Sequence, residues 1–161
     1  MALESTWQVP QTVQLDREWR QAMPVPPEYQ RATDDFYKLL ADARDAAGLT
    51  TTNQAYTMLQ GVFQVFRRRL EVKDAIRFLS VLPAGARALF VADWDPDEPK
   101  RPFEDRALMT KEVLELRPEH NFAPETAIHD VAIALRRNVD QEAFGRTLAT
   151  FPKGAAQFWQ V

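Results

Sequence analysis

Two stretches decide how this chain folds: LSVLPAGARALFV at residues 79–91 and LATFPKGAAQFWQ at residues 148–160. They align without a gap at a spacing of 69 residues and share Leu79/Leu148, Pro83/Pro152, Gly85/Gly154 and Ala86/Ala155. Extended to Gln54–Val91 against Ala123–Gln160, the alignment adds Thr57/Thr126, Val62/Val131, Arg67/Arg136, Arg68/Arg137 and Arg77/Arg146, giving nine identities in 38 positions. Apolar partners such as Leu59/Ile128, Phe66/Leu135 and Phe90/Trp159 accompany them. Farther upstream the spacing becomes 73 and pairs Phe36/Met109, Leu40/Val113 and Ala43/Leu116. Four extra residues are about one helical turn, so the second helix of the first unit should be the longer one. This register reads as an internal duplication.

The prolines punctuate that pattern. Pro24, Pro26 and Pro27 close an N-terminal arm, Pro96, Pro99 and Pro102 fill a central linker, and Pro118 and Pro124 bracket a connection. Each removes a backbone donor and disfavours helix in the residue before it. Between them the apolar spacing is helical. Phe36, Leu39, Leu40, Ala43 and Ala47 mark a helix over 34–48 that stops at Gly48. Thr50 to Asn53 offer caps for a helix with Ala55, Leu59, Val62, Phe63, Phe66 and Leu70 on one face. Val72, Ala75, Ile76 and Leu79 form a third stripe, and Pro83 is expected at the first position of a fourth helix. After the linker, helices are expected over 104–117, 124–138, 140–150 and 152–159. The expected architecture is all-α: an arm (1–26), helical repeat one (27–92), a Pro/acidic linker (93–103) and helical repeat two (104–161). Units this short bury their apolar faces poorly alone, so the two tandem four-helix repeats should pack into one helical bundle. The Phe and Leu stripes read as core rather than as a cofactor box.

Composition narrows the function. The 161 residues carry 11 prolines, 5 glycines and no cysteine. Thiolate metal sites, disulfides and a cysteine nucleophile are thereby excluded. A net charge of −3, with no strongly basic segment, argues against nucleic acid as a partner. The start MALESTWQVPQ lacks a basic stretch followed by an apolar run, and no span of membrane-crossing length occurs. A cytoplasmic location is expected. No P-loop, nucleophile elbow or glycine-rich dinucleotide turn appears, so neither an enzyme nor a cofactor is expected.

The segments GLTTTNQAYTMLQGVFQVFRRRL, AIRFLSVLPAGARALFVADWD and NFAPETAIHDVAIALRRNVDQEAF…FPKGAAQFW resemble the bacterial domain of unknown function 2267. The resemblance runs from about Pro27 to the C-terminal residue. It implies a duplicated, all-helical cytoplasmic domain and brings no catalytic residues with it.

Candidate sites are few. Asp93, Asp95, Asp97 and Glu104 fall at the first, third, fifth and twelfth places of a calcium-loop template, but Glu98 stands where the turn requires glycine. His120 and His129 lack ligand spacing. Arg67, Arg68, Arg136 and Arg137 recur near helix C-termini, where cations suit the helix dipole; alternatively they edge a small-molecule or anion site in a cleft between the repeats. The arm carries Trp7, Val9, Val13, Leu15, Trp19 and Met23 among polar residues. Large aromatics there suit docking, so a protein partner or a homo-oligomer is expected through the arm, chiefly Trp7, Val9, Leu15, Trp19 and Met23, together with a helical face.

Overall fold

The computed structural model of the chain describes residues 25–116, 119 and 122–161. Among the described residues all regular structure is helical: α1 (Pro27–Gln30), α2 (Ala32–Ala46), α3 (Thr52–Arg67), α4 (Val72–Leu79), α5 (Ala84–Val91), α6 (Arg106–Glu115), α7 (Ala127–Arg137), α8 (Gln141–Ala149) and α9 (Ala155–Phe158).

Local chemistry sets the boundaries. At the end of α2, Gly48 adopts φ 63°, its amide bonds the Asp45 carbonyl, and Leu49 N–H bonds the Arg44 carbonyl. That left-handed closure satisfies carbonyls the helix would otherwise orphan. Thr51 caps α3 reciprocally: its hydroxyl accepts from Gln54 N–H, and the Gln54 side chain accepts from the amides of Thr50 and Thr51. Asp105 and Asp140 cap α6 and α8.

Three expectations are corrected. Pro83 is the N-cap of α5 rather than its first helical residue, with ψ 149°. The last helix begins at Ala155 rather than Pro152, because Gly154 holds φ 105° and the chain turns there. In α4 the buried positions are Asp74, Ala75 and Phe78, while Val72 and Ile76 face solvent. The sequence stripe chose Ile76; the structure chooses Phe78, whose ring meets Phe66, Phe90 and Phe144.

A single core spans the chain. Trp159 is fully buried, with its ring centroid 5.0–6.4 Å from those of Phe63, Phe66, Phe78, Phe144 and Phe158. Four of these pairs are edge-to-face and the one with Phe78 is stacked, geometries that add attraction beyond area burial. Helix α2 lies on α3, α5 and α7, α3 lies also on α5, α6 and α7, and α4 packs on α8. Gly85 and Gly154 permit two close approaches. A Cβ at Gly85 would stand 2.7 Å from the Phe36 Cβ, and one at Gly154 would stand 2.5 Å from the Phe103 Cβ.

The linker is strapped down, although most of its residues are exposed. Arg101 N–H bonds the Arg68 carbonyl and Arg69 Nε bonds the Pro102 carbonyl. The Arg69 guanidinium, with no side-chain exposure, reaches Glu104 at 3.3 Å and Glu112 at 2.8 Å. Arg68 joins Glu98 and Glu112, and Arg101 joins Glu112. Burial alone would raise the Glu112 pKa. Hydrogen bonds from Arg69 and Arg68, with the charges of Arg69 and Arg101, outweigh it and hold the carboxyl below its ordinary value of 4.5.

Two predictions follow from these contacts. Gly154→Ala, which suffers both the positive φ and the Phe103 contact, should destabilise the fold by about 2–4 kcal/mol, and Gly85→Ala by about 1–3 kcal/mol, in urea unfolding. Because Glu112 titrates lower when folded than unfolded, its contribution is complete above its unfolded pKa and is lost as pH falls through the folded one. The urea midpoint should therefore fall on acidification below about pH 5, and Glu112→Gln should lower it at pH 7 and flatten that acid limb.

Candidate functional site

The four arginines singled out by the repeat meet four different sets of partners. Arg67 is buried; its guanidinium donates to the carbonyls of Phe90 (2.6 Å), Ala92 (2.9 Å) and Asp93 (3.3 Å) and lies 5.7 Å from the Trp94 ring centroid. Burial lowers its pKa, with Glu98 and Asp93 acting in the opposite direction. Arg68 belongs to the Glu98 and Glu112 network. Arg136 Nε donates to the Trp159 carbonyl at 2.8 Å, and its guanidinium lies 5.3 Å from the Phe144 ring centroid. Arg137 is exposed and stands 4.0 Å from Asp42. Arg67 and Arg136 thus satisfy carbonyls at the ends of α5 and α9.

The arm residues Trp7, Val9, Leu15, Trp19 and Met23, like His120, lie outside the described residues. His129 is half-exposed, 3.6 Å from Asp130, whose carboxylate accepts the Thr126 hydroxyl. Among the described residues no three histidine, aspartate or glutamate side chains come together as metal ligands. Of the calcium-loop carboxylates, Asp95 accepts from the Asp97 amide and Glu104 pairs with Arg69.

Two surface features were not legible as sites. The first is the face formed by α4 and α8. Val72 and Ile76, one turn apart on α4, are 40% and 60% exposed. Beside them runs a groove of about 490 Å³ lined by Arg77, Ser80, Ala143, Arg146, Thr147 and Thr150. Arg77 and Arg146 are held only by acids on their own helices, Asp74 at 3.1 Å and Glu142. The Arg146–Glu142 pair is exposed at both ends and therefore weak, whereas Asp74 is buried beneath Arg77.

The second is a cavity of about 270 Å³ lined by Phe103, Glu104, Arg106, Met109, Lys153, Gly154 and Gln157. Arg106 has no identical counterpart across the repeat and belongs to no motif, so no sequence signal marks it. Burial lowers its pKa, and no carboxylate offsets that effect.

The arginine roles are separable by mutation. Arg67→Ala leaves buried carbonyls without donors and should cost about 2–4 kcal/mol, whereas exposed Arg137→Ala should change stability by less than about 0.5 kcal/mol. Thermal and urea unfolding of the two variants check the ordering.

None of the curated proteins matches this chain. The family described as "Uncharacterized conserved protein (DUF2267)" matches residues 36–158, which takes in α2 through α9. The chain therefore belongs to the DUF2267 family of uncharacterized conserved proteins.

Proposed function

We propose that this protein is a non-catalytic helical interaction module that binds a protein partner through the α4–α8 face and the N-terminal arm. The observation that carries the reading is the solvent-facing pair Val72 and Ile76 on a helix whose other apolar residues are drawn into the core. Adjacent exposed aliphatic side chains carry a hydration cost that a docked partner removes. Arg77 and Arg146 beside them suit a partner segment that sets acidic residues next to an apolar stripe. Trp7, Val9, Leu15, Trp19 and Met23 in the arm supply anchors of the residue types that dominate interfaces.

The body that presents this face is two four-helix repeats, 27–92 and 104–161, related by a pseudo-twofold axis. Two pairs of contacts and one self-contact support that reading. Arg67 bonds the Phe90 carbonyl as Arg136 bonds that of Trp159. Helix α2 packs on α7 as α6 packs on α3, and α4 meets its counterpart α8. In this arrangement the first helix of each repeat is covered by the second helix of the other, which accounts for a core neither repeat completes alone. The axis passes where α4 meets α8, so the docking face draws on both repeats.

Binding assays with the full chain, with Ile76→Asp and with residues 1–26 removed test the reading. A partner held by the full chain should be lost from the Ile76→Asp variant, with helical circular dichroism unchanged, and weakened on deletion of the arm. Equal retention by both variants would sink it. Light scattering on the same samples distinguishes self-association, in which the mass should fall on either change.

A further inference from the structure

The cavity beside α6 is lined by a half-buried guanidinium, Arg106, with no ion pair among the described residues. Among the described residues Arg106 gives one hydrogen bond, from Nη2 to the Gln160 carbonyl at 2.6 Å, and its buried Nε has no partner. Arg67 also has a buried Nε without a partner, but its Nη atoms give three carbonyl bonds, and Arg69 is answered by Glu104 and Glu112. A buried donor on a charged group left unpaired is among the costlier defects a fold can retain. Retaining one at the wall of an open cavity makes sense where a ligand completes it.

The rest of the lining fits an anion with an apolar body. Lys153 is exposed and has no hydrogen bond or ion pair among the described residues, so its ammonium is available on the same cavity. Gln157 adds an amide. Glu104 also lines the cavity, but its carboxylate is engaged by Arg69. Phe103 and Met109 supply apolar wall, and Gly154, which has no side chain to fill the space, leaves the Phe103 ring accessible to the cavity. A volume of about 270 Å³ is that of a small-molecule pocket rather than a macromolecular groove.

We infer that this cavity binds a small organic anion, with its carboxylate or phosphate group between Arg106 and Lys153 and its apolar part against Phe103 and Met109. An acidic oxygen there would take the Nε–H of Arg106 in a charge-assisted bond, the pairing that a fork of guanidinium donors favours. The site is distinct from the α4–α8 face, and neither depends on the other.

The test is a titration of the full chain, in phosphate-free buffer, with sodium benzoate in one arm and inorganic phosphate in the other, followed by heteronuclear NMR. Saturable shifts are expected at the Arg106 side-chain Nε–H and at the Gly154 amide. Saturation by benzoate alone would assign a carboxylate ligand with an apolar body; saturation by phosphate, with or without benzoate, would assign a phosphate group. Lys153→Gln, at an exposed position that leaves the fold intact, should raise the apparent Kd about two- to fivefold. Arg106→Gln should raise it at least about tenfold, its folding checked by circular dichroism. No saturable shift with either probe, or shifts that Lys153→Gln leaves unchanged, would overturn the assignment.

Discussion

Burial of the Trp159 indole makes the two halves of this chain one structure. The ring arrives at the very end of the second half, yet Phe63, Phe66 and Phe78 from the first half form much of its surroundings. An aromatic side chain of that size contributes on the order of 2–3 kcal/mol only when water is fully excluded from it. Helices of eight to sixteen residues cannot do that within one half. Interleaving them does, and the interleaving in turn fixes which faces of α4 and α8 remain outside.

The second organising interaction is the arginine run at the end of α3. Arg67, Arg68 and Arg69 point to three destinations: the carbonyls ending α5, the Glu98 and Glu112 carboxylates, and the Pro102 carbonyl with Glu104. A stretch with alternating prolines and acids would otherwise be a free strap between halves. Here its backbone and carboxylates are tied to the helix terminus that they neutralise. The same residue types that suggest an anion site from sequence thus serve the fold. Arg106, a residue with no such pattern, has no carboxylate partner among the described residues and keeps a buried Nε unpaired, as Arg67 does.

Identities at the 69-residue spacing include positions that make like contacts: Arg67 and Arg136 at carbonyls, Gly85 and Gly154 under aromatic rings. Surfaces that serve recognition need not repeat. Ile76 faces solvent while its counterpart across the repeat is Gly145, and Lys153 is matched by Ala84. On this reading the two halves share a scaffold and differ in what they present.

The sequence by itself determined the helical class, the caps at Gly48 and Thr51 and most of the core stripe of α3, because those depend on backbone sterics and on periodicities within a few residues; it set the starts of α5 and α9 one and three residues early, at Pro83 and Pro152. It misjudged α4, where Ile76 and Phe78 compete for one inward direction and only the neighbouring rings of Phe66, Phe90 and Phe144 decide between them. Which arginines are answered and which are left open could not be read along the chain either. Partners such as Phe90 for Arg67, or Gln160 for Arg106, are separated by 23 and 54 residues. Charge satisfaction is a property of positions in space, and only the tertiary packing brings those positions together.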